Sequence, residues 1–240
     1  MTQVREESPS ALREAAAVLR SGGMVVVPSR TNYALVCDYE DPRSIANVFE
    51  AKKRSKFGPL TLAIPRISDL EDYVWTVPDF GAAHAEAIWP AEVSFIFAQR
   101  RRLPPRMTMG ATTVAVMFQR ECALRRLLDT YQRPLALTSA NLSGQGNITV
   151  TREKALEDVG GVVDFFLYND RVDEVVDTKA QGVQPSNTIV DFTFDAPYLV
   201  RPGAYPVEKL RPWIPGLIED PAAYQALLAA RLEAARVTAE

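Results

Sequence analysis

The chain has 240 residues, 27 of them basic and 30 acidic, and 47% are hydrophobic, which indicates a globular protein with a sizeable core and excludes wholesale disorder. A net charge of −3 provides no general attraction to nucleic acid. One His and two Cys argue against the usual His/Cys zinc site and against a disulfide framework. No run approaches the roughly 18 apolar residues of a membrane span, and the acidic residues 1–7 lack signal-peptide features, so we expect a cytoplasmic protein.

The predicted elements alternate between helices and short buried strands. Ser8 can cap a first helix that ends at Gly22, residues 24–28 form a β-branched run, and Asp41-Pro42 starts a second helix. Further strands are predicted at residues 60–64, 93–98, 113–118, 135–138, 162–167, 188–192 and 198–200. Further helices are predicted at residues 81–88, 123–131 and 152–159. Because several strands follow one another through short turns, the pattern favours a twisted, mixed, open α/β sheet with flanking helices over a strict βαβ repeat.

The composition changes after Gly203. Three prolines interrupt residues 206–215, and residues 222–235 form an Ala/Leu/Arg helix that can dock on the body of the protein or on a partner. We therefore divide the chain into a main domain, residues 1–206, and a proline-punctuated linker with a C-terminal helix, residues 207–240.

Polar or cationic side chains cluster at the ends of four predicted strands, where α/β proteins usually build their sites. The first cluster is a loop after the strand at 24–28, and its members are Ser29, Arg30, Thr31 and Tyr33. The second is the helix end Lys52-Lys53-Arg54, where two cations can converge on phosphate oxygens. Each has an ordinary alternative: the first is a turn with an exposed Arg, and the second is a solvated helix terminus.

The third cluster is the most specific of the four. An apolar strand delivers Ser139, Asn141 and Ser143 within five positions and then stops at a glycine. Hydroxyl and amide groups with exposed backbone N–H donors suit a nucleotide or a carboxylate, although such a turn can also satisfy itself. The fourth cluster joins Thr188, at the start of one strand, to Arg201, at the end of the next.

In this order and with these gaps, the clusters resemble the YrdC/Sua5 family, whose members make threonylcarbamoyladenylate for tRNA modification. The family elements Lys-x-Arg with Pro-Leu and Ser-x-Asn-x-Ser-Gly are matched at residues 52–60 and 139–144. The first-loop element Pro-Ser/Thr-acidic-Thr-x-Tyr-Gly-Leu is matched in part at residues 28–35, and the late Thr-Ile-Val-Asp and Arg-Pro-Gly elements at residues 188–203. The resemblance covers roughly residues 8–206, and it implies a YrdC-like catalytic domain with a concave nucleotide cavity.

The resemblance implies a nucleotidyltransferase that combines threonine, bicarbonate or CO2, and ATP. A carbamate oxygen would attack the α-phosphorus of ATP, and pyrophosphate would leave, which requires positioning and cations more than covalent help. ATP is then a substrate accompanied by Mg²⁺, and no protein metal site is expected. The implied partners are threonine or another small amino acid, bicarbonate, and RNA or tRNA-modification proteins, without a membrane; the oligomeric state stays open.

The resemblance also assigns roles to the clustered residues. The predicted catalytic residues, which also hold nucleotide phosphate oxygens, are Lys52, Arg54, Ser139 and Asn141. Further nucleotide contacts are assigned to Ser143, Thr188 and Arg201. The amino-acid and carbamate pocket is assigned to Ser29, Arg30, Thr31 and Tyr33.

Several positions depart from the family pattern, mostly near the expected amino-acid pocket. They are Arg30 for an acidic residue, Asn32 for a branched apolar one, Ala34 for Gly, Ala63 for His, Met117 for Arg and Asn187 for Ser. A Gly-Pro turn is also replaced by Ala91-Glu92. Because Arg30 would favour a carboxylate or phosphate over an ammonium, it predicts poor use of threonine or another acceptor, unless it points to solvent. Two alternatives to the synthase stay open: a paralogue with another carbamoyl-adenylate, and a non-catalytic RNA- or nucleotide-binding relative.

Overall fold

A computed structural model describes residues 1–53, 58–76, 82–145, 148–169 and 185–237 as a twisted, mixed sheet with helices on both faces. The strands are β1 (Gln3–Glu6), β2 (Val25–Pro28), β3 (Tyr33–Asp38), β4 (Thr61–Ala63), β5 (Val74–Trp75), β6 (Val93–Gln99), β7 (Thr113–Met117), β8 (Leu135–Ser139), β9 (Phe165–Tyr168), β10 (Thr188–Asp191) and β11 (Tyr198–Arg201). The helices are α1 (Pro9–Arg20), α2 (Pro42–Ala51), α3 (Leu70–Tyr73), α4 (Ala82–Ile88), α5 (Pro105–Thr108), α6 (Ala123–Tyr131), α7 (Arg152–Val159) and α8 (Pro221–Val237).

The sheet brings strands that are distant in sequence side by side. Its order is β1-β9-β2-β3-β8-β4-β7-β6-β10-β11, with β5 added against β6. β9 runs parallel to both β1 and β2, β4 runs parallel to β7, and β6 runs parallel to β10. Among the strands of the described residues, the remaining pairs are antiparallel. The predicted mixed α/β sheet is confirmed.

Strand β2 shows why the sheet is covered on both faces. Side chains alternate along a strand, so Val26 enters one apolar core while Val25 and Val27 enter the other. Helices α1 and α6 pack over the core of Val25 and Val27, and α2 packs over the core of Val26. Cys37 and Cys122 are both buried and neither is in a disulfide, and burial raises the pKa of the Cys37 thiol.

The segment after residue 206 packs against the end of the sheet. The Leu199 amide donates to the carbonyl of Ile218 at 2.8 Å, which extends the pairing beside β11. In α8, the Tyr224 hydroxyl lies 3.0 Å from a carboxylate oxygen of Asp191, and the Arg231 guanidinium lies 3.7 Å from the centre of the Phe194 ring. Of the two docking alternatives, the structure therefore shows contact with the body, while the division at residue 206 stays a prediction. No helix in the described part is both long and apolar enough to cross a bilayer.

Candidate functional site

A cavity of about 310 Å³ lies where the loops after β2, β8 and β7 meet the strands β10 and β11. Hydroxyl groups on its wall come from Ser29, Thr31, Tyr33, Thr61, Ser94, Thr138, Ser139 and Ser186. Amide groups come from Asn32, Gln119, Asn141, Gln145 and Asn187. The volume falls at the lower end of the range for small-molecule sites, which is about 300–1,000 Å³.

The cavity brings together part of the predicted site. The predicted residues on its wall are Ser29, Thr31, Tyr33, Ser139, Asn141 and Arg201. Four others, Arg30, Lys52, Ser143 and Thr188, are described but do not line it. Arg54 lies outside the described residues.

The turn after β8 is held by its own side chains. The Ser139 hydroxyl donates to Asn141 Oδ1 at 2.6 Å, and Asn141 Nδ2 donates to the carbonyl of Gln145 at 2.9 Å. The Ala140 amide donates to the carbonyl of Tyr33 at 2.8 Å, which joins this turn to β3. Asn141 is only 4% exposed, so these bonds form away from bulk water and fix the turn before any ligand arrives.

Lys52 supports the same turn from the C-terminal end of α2. Its ammonium donates to the carbonyls of Ser139 and Asn141, each at 2.5 Å, and lies 3.4 Å from Asn141 Oδ1. The side chain is 2% exposed, which accounts for the three oxygen contacts, because a buried ammonium needs acceptors. Direct phosphate contact by Lys52 stays a prediction, since the structure places the ammonium on the backbone of the turn.

Asp158 in α7 provides a second support. Its carboxylate accepts from the Leu142 amide at 3.0 Å and from the Lys154 ammonium at 2.8 Å. Burial alone raises the pKa of Asp158, but the hydrogen bonds from Lys154 and Leu142, together with the charges of Lys154 and Lys52, outweigh it and lower the pKa. The turn is therefore held by ionised groups on both flanking helices.

Arg201 contributes a cation to the cavity at the end of β11. One of its terminal nitrogens donates to the Asn187 carbonyl at 3.3 Å, while Nε and the nearby Ser186 hydroxyl are buried with no partner among the described residues. Burial lowers the pKa of Arg201. No carboxylate lies among the described residues of the cavity wall. A desolvated guanidinium beside an unused hydroxyl is suited to an anionic ligand.

Thr188 and Gly203 hold together the two segments on either side of Arg201. The Thr188 hydroxyl donates to the Tyr205 carbonyl at 2.6 Å and accepts from the Gly203 amide at 2.9 Å. A Cβ at Gly203 would lie 2.3 Å from the Ser186 carbonyl oxygen, so only glycine fits this approach. The predicted nucleotide contact of Thr188 is not tested, and the described bonds give it a role in holding the turn.

The amides of Asn187 and Gln119 also lie on the cavity wall, and the sequence alone assigns them no role. Asn187 Nδ2 donates to the Ser94 hydroxyl at 3.2 Å and lies 3.8 Å from Met117 Sδ. Gln119 Nε2 lies 3.5 Å from Asn187 Oδ1. In the sequence, only the departures of Met117 and Asn187 from the family pattern indicated that these positions belong to the site. In the structure, both line the cavity and contact each other.

The loop of residues 29–32 is held at both ends. The Ser29 hydroxyl donates to the Asn32 carbonyl at 2.7 Å, and Asn32 Oδ1 accepts from the Val150 amide at 2.6 Å. Asn32 Nδ2 also donates to the Pro185 carbonyl. Arg30 does not line the cavity: its Nε lies 3.3 Å from a carboxylate oxygen of Glu92. The Arg30 charge is thus paired with a buried carboxylate, and the predicted contact of Arg30 with substrate stays a prediction.

The described residues do not form a magnesium site of their own. Within the described residues, no group of three or more His, Cys, Asp and Glu side chains is placed to hold a metal ion. Mg²⁺ prefers carboxylate and phosphate oxygens, and the described wall offers neutral oxygens only. A magnesium ion in this cavity would therefore be carried by the phosphates of a nucleotide.

The fold and the cavity define a class: a mixed α/β protein with a polar cavity, and Arg201 on its wall, where the loops meet the sheet. A family model of Sua5, YciO and YrdC, described as "Telomere recombination", matches residues 17–203. The chain belongs to this Sua5/YciO/YrdC family, as its motifs indicated.

The chain is similar to curated relatives over most of its own length. It is 29% identical over 213 residues to the threonylcarbamoyl-AMP synthase of Pyrococcus abyssi, covering 89% of this chain and 60% of the relative. It is 30% identical over 200 residues to the threonylcarbamoyl-AMP synthase of Bacillus subtilis, covering 83% of this chain and 55% of the relative. The chain thus spans a little over half the length of these two relatives.

Solved structures show the same architecture. Sua5 of P. abyssi complexed with L-threonine matches with a TM-score of 0.78 and 28% identity, covering 93% of this chain and 64% of that one. YciO of Escherichia coli matches with a TM-score of 0.74 and 21% identity, covering 87% of this chain and 98% of that one. At that lower identity, the YciO match shows the fold alone.

Proposed function

We propose that this protein is a threonylcarbamoyl-AMP synthase, which joins threonine, bicarbonate or CO2, and ATP and releases pyrophosphate. The observation that carries the proposal is the cavity that holds Arg201 without a carboxylate on its described wall. The names of the relatives and the L-threonine in the P. abyssi Sua5 structure support the same reaction. Since its product serves tRNA modification, the proposal includes a cytoplasmic location and leaves contact with tRNA-modification proteins to be tested.

The described residues suit the demands of this reaction. The threonine amine adds to CO2 to give a carbamate and a proton, and a carbamate oxygen then attacks the α-phosphorus while the bond to pyrophosphate breaks. Arg201 is placed to hold phosphate oxygens through charge-assisted hydrogen bonds. Ser139 and Asn141 present groups whose geometry is already fixed by the turn, so little reorganisation is needed during the reaction. Thr31 and Tyr33, which also line the cavity, would contact the amino acid and its carbamate.

A pyrophosphate-release assay tests the proposal. The protein is incubated with ATP, Mg²⁺ and bicarbonate, with and without threonine, and the adenylate product is identified by mass spectrometry. We expect pyrophosphate release that depends on threonine and bicarbonate, with a product of the mass of threonylcarbamoyl-AMP. ATP binding without any release of pyrophosphate would instead support the non-catalytic relative.

A second candidate is the same reaction with another small amino acid. Three departures from the family pattern, Ala34, Met117 and Asn187, all line the cavity, and Asn187 contacts Met117. The thioether of Met117 stands where the family pattern has an Arg, and the amide of Asn187 stands where it has a Ser. Both replacements alter the polarity of the wall. A panel of amino acids in the same assay distinguishes the two candidates, because the preferred substrate gives the largest ratio of kcat to KM.

A further inference from the structure

We propose that Arg30 is a positioning residue, which acts through an ion pair with Glu92 to hold the loop of residues 29–32 in place as a wall of the cavity. The identity of the ligand at that wall rests on the proposed function, whereas the positioning itself does not. Arg30 would therefore not present its charge to the substrate, in contrast to the specificity change expected from its sequence.

The burial of the pair shows that it is held tightly. The Glu92 side chain is 5% exposed and that of Arg30 is 22% exposed, with 3.3 Å between Nε and the carboxylate oxygen. A buried carboxylate is costly without a cation. Arg120 is a weaker second partner, because its Nε lies 3.9 Å from the other carboxylate oxygen, donates to the Pro90 carbonyl, and belongs to a side chain that is 48% exposed.

The neighbours of Arg30 show what the pair positions. Ser29 and Thr31, on either side of it, both line the cavity, while Arg30 does not. Glu92 immediately precedes β6, and its carbonyl accepts from the Thr188 amide at 3.0 Å. The ion pair thus joins the loop between β2 and β3 to the segment that holds β6 against β10.

Other contacts hold the loop from different sides. Within the loop, the Thr31 and Asn32 amides donate to the Ser29 hydroxyl at 3.4 and 3.2 Å. The Asn32 side chain joins it to Val150, and the Arg30–Glu92 pair joins it to the start of β6. Arg30 supplies the ionic contact in this set, so its removal would free the loop on the side of β6.

The two positions also depart from the family pattern in a complementary way. Arg30 and Glu92 are separate departures from the family pattern, 62 positions apart, and they carry opposite charges. The structure brings them into contact, so the inverted charge in the loop is balanced by a new acid. The pair thereby keeps the wall in position without adding a cation to the cavity.

A double-mutant cycle tests whether Arg30 acts through Glu92. Arg30→Met, Arg30→Lys, Glu92→Gln and the double variant with Arg30→Met and Glu92→Gln are compared for their dependence on threonine. We expect Arg30→Met and Glu92→Gln each to raise KM about tenfold with kcat within about threefold of the parent. Arg30→Lys should stay within about threefold in KM. In the double variant the two effects should not multiply; effects that multiplied would show that Arg30 and Glu92 act independently and would overturn the proposal.

Arg126→Met provides a matched control. Arg126 pairs with Glu7 at side-chain exposures of 25% and 9%, in an ion pair that does not line the cavity. We expect Arg126→Met to alter stability while the KM for threonine stays within about twofold of the parent. A KM increase equal to that of Arg30→Met would attribute both effects to general destabilisation and overturn the proposal.

Hydrogen exchange separates this proposal from the proposed function. The Thr31 and Asn32 amides should exchange at least tenfold faster in Arg30→Met than in Arg126→Met. Absence of threonine-dependent pyrophosphate release from the parent protein would overturn the proposed function, and the exchange rates would still decide the role of Arg30. Unchanged exchange in Arg30→Met would overturn the positioning role even in an active enzyme.

Discussion

At the scale of single residues, Arg201 combines a cost for folding with a benefit for binding. Its guanidinium is partly desolvated and faces no carboxylate on the described cavity wall, so burial lowers its pKa. Charges held in this way weaken the folded state and strengthen contacts with an incoming anion. Stability and affinity should therefore respond in opposite directions when the charge is removed.

Replacing Arg201 with Met should weaken ATP binding at least tenfold and leave the melting temperature unchanged or higher. Isothermal titration calorimetry measures the ATP affinity, and differential scanning calorimetry measures the melting temperature. Arg211→Met is the control, because Arg211 pairs with Glu219 in an exposed ion pair and does not line the cavity. Undiminished ATP affinity in Arg201→Met would show that the anion site lies elsewhere.

Lys52 differs from Arg201 because the structure gives its charge internal acceptors. Sequence alone predicts that a Lys52 substitution abolishes activity and leaves the fold intact. Because the ammonium is buried on the carbonyls of Ser139 and Asn141, we expect Lys52→Met to lower the free energy of unfolding by about 2–4 kcal/mol, in addition to lowering activity. Urea unfolding measures this loss, with the exposed neighbour in Lys53→Met as the control. Equal stability of the two variants would contradict the supporting role.

At the scale of elements, α7 couples the turn after β8 to pH. Because hydrogen bonds and cations lower the pKa of Asp158 in the folded state, its contribution to stability is present above the pKa of the unfolded chain, near 3.9. The contribution is lost as the pH falls through the lower, folded pKa. The support of Leu142 by α7 should therefore be complete at neutral pH and absent in strong acid.

Asp158→Asn should accordingly be less stable than the parent at pH 7, and the difference should shrink as the pH falls through the lowered pKa of Asp158 and vanish in strong acid. Urea unfolding at a series of pH values measures it. Glu157→Gln is the control, since the Glu157 side chain is 72% exposed and lies 3.4 Å from Lys154. A difference between Asp158→Asn and the parent that stayed constant with pH would show that the amide is lost for steric reasons instead.

The elements also show how far the sequence could be interpreted. Strands β2 and β6 are predictable because β-branched or aromatic runs are buried on both faces of the sheet. Strand β1, with residues Gln3–Glu6, is missed because all four residues are exposed and its pairing is supplied by β9, distant in the sequence. Propensity carries no signal for such a strand.

In the site, too, contacts within one short segment can be predicted from the sequence, and contacts between distant segments cannot. Ser139 and Asn141 are predictable because their hydrogen bonds form within one short motif. The Arg30–Glu92 pair and the Asn187–Met117 contact are not, because each joins segments whose proximity only the folded sheet determines. The sequence shows these positions as isolated departures, and the structure shows them as contacts.

At the scale of the whole molecule, the sheet order determines when the chain can fold. Strand β9 lies between β1 and β2, and Val25 pairs with Phe165. In the same way, β6 cannot pair with β10 until the later residues have been synthesised. During synthesis, the N-terminal third therefore leaves the ribosome with one side of β2 unpaired until β9 emerges. Such late-closing sheets fold slowly, on the order of milliseconds to seconds or longer, and expose apolar edges meanwhile. The rate of translation through residues 29–164 therefore sets how long this edge of β2 stays unpaired.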